Sequence, residues 1–237
     1  MEVVIVGGGI AGLTFALTLH QAGIASRVYE TSAEIKAVGV GVNLLPHSTK
    51  VLGGLGLIDA LASVAVTTQE AAFFNRFGQL IHREPSGRFA GYDWPQFSIH
   101  RGDLQLVLLE AFQQRVGADR LFLAHKCTGV TQDGQGASAQ FVHATTGEAL
   151  PPARGDIVIA CDGLHSVIRK QFHPNEGEPV YSGVNMWRGV TRWQPFLTGA
   201  SMTRAGWLTP GKMVIYPIRN NIDAEGRQLI NWVAEVT

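Results

Sequence analysis

Val3-Val4-Ile5-Val6-Gly7-Gly8-Gly9-Ile10-Ala11-Gly12 decides how the rest of this chain is read. Its consecutive apolar residues form the run expected of a parallel strand buried on both faces. They lead straight into the spacing Gly7-x-Gly9-x-x-Gly12. In that spacing the first glycine permits a tight strand-to-helix turn and the second lets backbone approach a pyrophosphate. The third lets helix and strand pack closely. The exposed N–H groups and positive dipole end of the following helix then meet the pyrophosphate charge. Helical spacing over Ala11–Ala22, with Leu13, Leu17 and Leu19 among small residues, stops at Gly23. Arg27-Val28-Tyr29-Glu30 reads as the next strand and completes a βαβ unit. Glu30 stands eighteen residues after Gly12, where an acid accepts from a ribose hydroxyl and repels a 2′-phosphate. These residues predict a dinucleotide site without separating FAD from NAD.

Composition narrows the class. The chain has 237 residues, 46% hydrophobic and 16% charged, with a formal net charge of +0. That length suits one large α/β domain, or one domain with a smaller appendage. No Lys/Arg cluster argues for nucleic acid or an anionic membrane as partner. Cys127 and Cys161 have no metal-ligand spacing and are too few for a disulfide scaffold, so a reduced, cytoplasmic setting is the default expectation. Glu2 in place of a basic n-region, and the three glycines, argue against a signal peptide. No stretch approaches the ~20 uninterrupted apolar residues of a membrane span.

Farther along, 38–46 predicts a glycine-spaced loop and 47–62 a helix weakened by Gly53, Gly54 and Gly56. Residues 71–83 suggest a hairpin-like pair around Phe77-Gly78. In 100–116, Leu104, Val107, Leu108, Ala111 and Phe112 recur at helical steps. Strands are expected over 120–124, 137–143 and 156–160, with 145–154 turn-rich. After Pro174 the pattern alternates and gains aromatics, predicting antiparallel strands at 184–190, 213–217 and 229–236. The whole reads as a doubly wound α/β domain with a β-rich second lobe inserted or appended.

A second segment, Ala160-Cys161-Asp162-Gly163-Leu164-His165-Ser166-Val167-Ile168-Arg169, follows the 156–160 strand, with a helix starting near Leu164. Asp162 then lies beyond a strand's carboxyl end, where ligands of open α/β sheets sit. The same residues also suit an Asx turn that caps the helix, with Gly163 taking the turn geometry. Three ordered segments, Gly7–Gly12 with Glu30, His100-Arg101-Gly102-Asp103-Leu104, and Cys161-Asp162-Gly163-x-x-Ser166-x-x-Arg169, resemble the signatures of one family. It is the class A FAD-dependent aromatic hydroxylases, the salicylate and para-hydroxybenzoate hydroxylase group. The resemblance runs over essentially the whole chain, and 95–102 with 186–191 look most like its phenazine-modifying members. It implies a Rossmann-like FAD-binding domain of the GR2 flavoprotein type with a β-rich substrate lobe. Residues 1–72 and 97–177 would form the FAD-binding domain, 73–96 a hairpin of the lobe, and 178–237 the lobe itself.

The resemblance implies an enzyme that uses NAD(P)H and O2 to hydroxylate an aromatic ring through a flavin hydroperoxide. Phenazine- and salicylate-like carboxylates are the implied substrates. Hard chemistry would belong to the cofactor, and the protein would bind, orient and exclude water. No Ser-His-Asp, Cys-His or metal-binding constellation emerges, so no catalytic side chain is assigned. By resemblance, FAD contacts fall to Gly7, Gly9, Ile10, Ala11, Gly12 and Glu30, and to Gly41 and Val42 beside the isoalloxazine. Arg101 would reach the pyrophosphate–ribose region, Cys127 would meet adenine through its backbone, and Asp162 with Gly163 would face the ribityl–pyrophosphate part. Arg101 also reads as a surface arginine, the Cys127 thiol as inert packing, and Lys36 stands where relatives carry arginine.

The substrate wall would come from Leu45, Trp187, Tyr216 and Trp232, with Met186 and Pro217 nearby, although each also reads as lobe core. Arg188 suits either a substrate carboxylate or a structural ion pair. Two other readings stand beside the hydroxylase. One is another FAD oxidoreductase, an epoxidase or a reductase. The other is a truncated nucleotide-binding flavoprotein without turnover, because the family's third motif, Gly-Asp followed by His and a Pro-Gly-rich segment, is not found. The chain is then expected to be a fragment of a longer enzyme, holding FAD weakly and turning over poorly.

Overall fold

The N-terminal apolar run forms the strand Glu2–Val6 inside a four-stranded parallel sheet. Ile157–Ala160 and Ala25–Tyr29 flank it, and Leu121–Phe122 pairs with the far side of Ala25–Tyr29. The computed structural model describes residues 1–206 and 209–236. Packing groups the chain into two compact units, residues 1–36 with 105–179, and residues 37–104 with 180–237.

In the first unit the strand's side chains alternate between two covered faces. On one face Val4 and Val6 pack with Tyr29, Cys127, Val130, Phe141 and Ile168. On the other, Ile5 lies against the helix Ile10–Gln21, which buries Leu13, Ala16 and Leu17. A doubly wound sheet carries helices on both faces. Here the second face is covered mainly by an antiparallel sheet of Ala149–Gly155, Gly136–His143 and His125–Asp133. The turn-rich reading of 145–154 holds over 145–148 and is corrected beyond it to the strand Ala149–Gly155. Pro151 and Pro152 disguise it, yet Ala149–Gly155 is an edge strand, where a missing N–H costs little. His125–Asp133 escapes the sequence pattern because only Cys127 and Val130 of its nine residues are buried.

The second unit is dominated by a six-stranded sheet. Its order is Asn185–Trp193, Gln228–Val236, Gly211–Arg219, Ser201–Ala205, Glu70–Phe74 and Leu80–Pro85. The expected hairpin is the antiparallel pair Glu70–Phe74 and Leu80–Pro85. A smaller sheet joins Gly41–Leu44, Phe97–His100 and Val66–Thr67. The loop expected at 38–46 thus contains a strand, one too short to show a period. The helix expected at 47–62 is two, Pro46–Gly54 and Ile58–Val64, divided where Gly56 takes φ +69°. Pairing of Gly41–Leu44 with Phe97–His100 draws 37–72 into this unit, so compactness cuts the chain after 36, 104 and 179. Among the described residues no helix is long and apolar enough to cross a membrane.

Candidate functional site

The glycine turn of the first unit is shaped by close backbone approach. Gly7 has φ +111°, and a Cβ there would lie 2.2 Å from the Cys161 carbonyl oxygen. A Cβ on Gly12 would lie 1.9 Å from the Gly7 oxygen, so the helix could not settle on the turn with any larger residue. Gly9 differs: a Cβ there meets nothing within 4 Å. Gly9 is the N-cap of Ile10–Gln21, it offers no side-chain cap, and the first helical turn holds no acid. An uncapped N-terminus with open space at its mouth suits a phosphate group. The residues present therefore fit the pyrophosphate of a dinucleotide.

Glu30 braces this turn. One carboxylate oxygen accepts from the Gly8 N–H at 2.7 Å and the other from the Ser32 N–H at 2.8 Å. Gln105 adds a bond from its Nε2 to the Gly8 carbonyl at 3.1 Å. Asp162 lies beyond the end of Ile157–Ala160, and its Oδ2 accepts from the N–H groups of Val167 at 2.9 Å and Ile168 at 3.4 Å. The helix-capping geometry open in the sequence is thus realised, assisted by Ser166 Oγ on the Arg169 N–H. Gly163 takes φ +80° in the same turn. Cys127 is buried in the core; burial pushes its thiol above the usual range, and burial then Asp162 do the same to Cys161. Raised thiol pKa values make both poor nucleophiles.

In the second unit, Arg101 starts the helix Arg101–Phe112 with its side chain exposed, and its N–H donates to the Val40 carbonyl. Gly41 is held on both sides: its N–H donates to Asn231 Oδ1 at 2.7 Å, and its carbonyl accepts from Arg188 Nη2 at 3.2 Å. Val42 pairs with Ile99 in the small sheet. Asn231 is 0% exposed, and its Nδ2 stands near the Tyr216 hydroxyl without completing a good hydrogen bond. Burial raises the Tyr216 phenol above its ordinary range, against the lowering influence of Arg188, Asn231 and Asn43. Behind Asn43, Ser98 donates to its Oδ1 at 2.6 Å, and Thr68 lies 2.8 Å from Ser98 Oγ.

Tyr216 and Leu45 line a cleft of about 1050 Å³ whose floor is one face of the six-stranded sheet. Met186 and Arg188 belong to that lining, and Trp187 between them does not. The pleat sends Trp187 to the opposite face, where it is 57% exposed. Trp232 lies on that opposite face too, over Gly189, whose added Cβ would sit 2.3 Å from the indole ring. Trp187 and Trp232 therefore flank the sheet's other side, while Tyr216 lines the cleft. Arg204, Lys212, Val214 and Val233 line the cleft and carry no sequence signal of their own. Reading every second residue from Arg188 and Tyr216 would have found Met186 and Val214.

Among known proteins, the FAD binding domain family matches residues 1–193. The chain is similar to the phenazine 1,6-dicarboxylic acid hydroxylase PhzS of Lysobacter antibioticus, 36% identical over 236 residues. That match covers 99% of this chain and 58% of the relative. It is 32% identical over 222 residues to the 3-amino-4-hydroxybenzoate 2-monooxygenase of Streptomyces cremeus, covering 91% and 53%. The solved 2,6-dihydroxypyridine-3-hydroxylase of Arthrobacter nicotinovorans superposes with a TM-score of 0.74 at 26% identity, over 100% of this chain and 56% of that one. The chain spans between half and three fifths of the length of these relatives.

Proposed function

The chain belongs to the FAD binding domain family, and from that premise we propose that it acts as an FAD-dependent monooxygenase. It uses NAD(P)H and O2 to hydroxylate a small aromatic acid. The observation that carries the reading is the uncapped helix end at Gly9, open where a pyrophosphate is expected and braced by Glu30. The named relatives, hydroxylases and monooxygenases of aromatic acids, supply the substrate class.

In this reading backbone N–H groups of Gly9, Ile10, Ala11 and Gly12 hold the pyrophosphate, with Gly7 shaping the turn. Glu30 accepts from a ribose hydroxyl through lone pairs its two amide bonds leave free. Cys127 contributes backbone, and Asp162 with Gly163 contacts the cofactor beyond its capping role. Gly41, Val42 and Arg101 are assigned to FAD by resemblance. When bound, FAD supplies electron transfer and oxygen activation. The chain's own residues bind, orient and exclude water. In the cleft, Leu45 and Tyr216 contact the substrate, while Arg188 and Met186 take the places first expected of Trp187 and Trp232. With its phenol raised, Tyr216 stays protonated at neutral pH and offers an O–H donor to a substrate oxygen. A reduced compartment such as the cytoplasm suits its two unpaired cysteines.

The test combines FAD titration with NADH oxidation. Expected for this chain is weakly held FAD that gives a yellow colour only at excess cofactor, with slow NADH oxidation that an aromatic acid stimulates. Gly9→Ala should weaken FAD at least tenfold, about 1.4 kcal/mol, while costing the fold no more than about 1 kcal/mol as a cap change. Equal FAD affinity in Gly9→Ala, or none in the parent, overturns the cofactor assignment.

A further inference from the structure

We propose that Thr68 and Ser98, buried behind the second unit's cleft, are positioning residues. Through Asn43 they fix the direction of a hydrogen-bond chain, so that Tyr216 only donates into the cleft and a ligand oxygen placed there must accept. This rests on the reading that the cleft receives the substrate, and it names the residues that select one atom of that ligand. Direction follows from counting protons. Thr68 and Ser98 are each 1% exposed, so neither hydroxyl has bulk water to turn to. Ser98 Oγ donates to Asn43 Oδ1 at 2.6 Å. A serine hydroxyl has one proton, so Ser98 accepts at its 2.8 Å contact with Thr68, and Thr68 starts the chain as donor. The reverse direction would leave the Thr68 proton without an acceptor among the described residues. An orphaned buried donor of that kind is costly. With Oδ1 held by Ser98, Asn43 turns its Nδ2, which only donates, to its remaining side.

Asn43 and Tyr216 both line the cleft. Two further side chains meet Tyr216, and each is committed in the same sense. Asn231 is its register partner on the neighbouring strand, and directly opposite residues share a face. The Gly41 N–H occupies Asn231 Oδ1 at 2.7 Å, which leaves only Nδ2 for the phenol. Arg188, held by the Gly41 carbonyl, carries donors alone. All three neighbours lower the Tyr216 phenol against the larger raising effect of burial, as donors to its oxygen do. None of them offers an acceptor, so the phenol's own proton is left for the cleft. A ligand carbonyl or oxyanion can take that proton, and a methyl in the same place cannot.

Two measurements test the direction without a ligand. Neutron diffraction from deuterated crystals of the 237-residue chain should place deuterons on Thr68 toward Ser98, on Ser98 toward Asn43, and on Tyr216 toward the cleft. A Tyr216 deuteron aimed at Asn43 or Asn231 overturns the proposal. With 3,5-difluorotyrosine in place of Tyr216, whose phenol titrates near neutral pH, fluorine NMR reads the ionisation directly. Ser98→Ala frees the Asn43 amide to offer its Oδ1, and should raise that midpoint by about half a pH unit or more. Ser98→Thr keeps the hydroxyl and should titrate as the parent does. Thr68→Val leaves Ser98 donating and should shift the midpoint less than Ser98→Ala. An unshifted midpoint in folded Ser98→Ala overturns the positioning role. Calorimetry with 4-formylbenzoate and its isostere 4-methylbenzoate tests the ligand atom. The parent should bind the aldehyde about threefold tighter or more, and Tyr216→Phe and Ser98→Ala should each remove most of that preference. Equal binding of the two probes overturns the selection. Failure of both to bind overturns the reading of the cleft as the substrate site, while the deuterons and the fluorine midpoint still decide the direction of the chain.

Discussion

In the first unit the candidate binding groups are backbone amides at a helix start, brought close to their strand because residues 7 and 12 lack side chains and left open at Gly9. In the second they are side chains, set in rows by a sheet whose strands come from distant parts of the chain. The contrast explains what each tolerates. A turn whose carbonyls lie where a Cβ would go, as at Gly7 and Gly12, has no slack for added atoms. A cleft floored by strand rows changes one projecting group at a time.

The largest effect expected is at the turn. Gly12→Val drives a side chain into the Gly7 carbonyl and should cost about 3 kcal/mol or more in thermal unfolding. Smaller loss would mean that the helix can shift on its strand, and the contrast would weaken. Next is Asn231→Leu, which keeps bulk but removes the buried acceptor for the Gly41 N–H. It should cost about 2 kcal/mol in urea unfolding, with Asn231→Asp retaining the acceptor and recovering part of that. A neutral Asn231→Leu would show that Gly41 is positioned by its strand pairing alone.

The smallest effects are in pH dependence. Burial raises the phenols of both Tyr29 and Tyr216 above their ordinary value of 10.0. Below that value both states hold the proton and the stabilising contribution is complete. Above it the unfolded chain ionises first, so stability falls as pH rises through the folded values. Denaturant midpoints should therefore hold up to pH 10 and drop as pH rises above it, and Tyr216→Phe should flatten the drop. Cys127, buried and raised in the same way, should react with iodoacetamide at pH 8 far more slowly than a free thiol.

The two units also differed in how much the amino-acid sequence disclosed. The βαβ start was legible because its strand, turn and helix are contiguous and each glycine has a local task. The hairpin around Phe77-Gly78 and the helix from Arg101 followed from equally local patterns. Ala149–Gly155 was hidden by prolines that only an edge strand accepts, and Gly41–Leu44 by its brevity. The cleft was least legible. Arg188 and Arg204 share a row only because two intervening strands align them, and that register is a tertiary property. Tryptophans drew attention as lining, yet the pleat assigns Trp187 and Trp232 to the sheet's other face.

Glu30 carries a consequence for cofactor engineering. An acid at the end of this strand is the obvious position to exchange when its hold on the cofactor's ribose is to be altered. In this chain the same carboxylate ties down the Gly8 and Ser32 amides. An arginine or serine there would change the ribose contact and also release two backbone donors at the base of the loop. Redesign of specificity at this position would thus have to supply replacement acceptors for Gly8 and Ser32 before any gain in recognition could be measured.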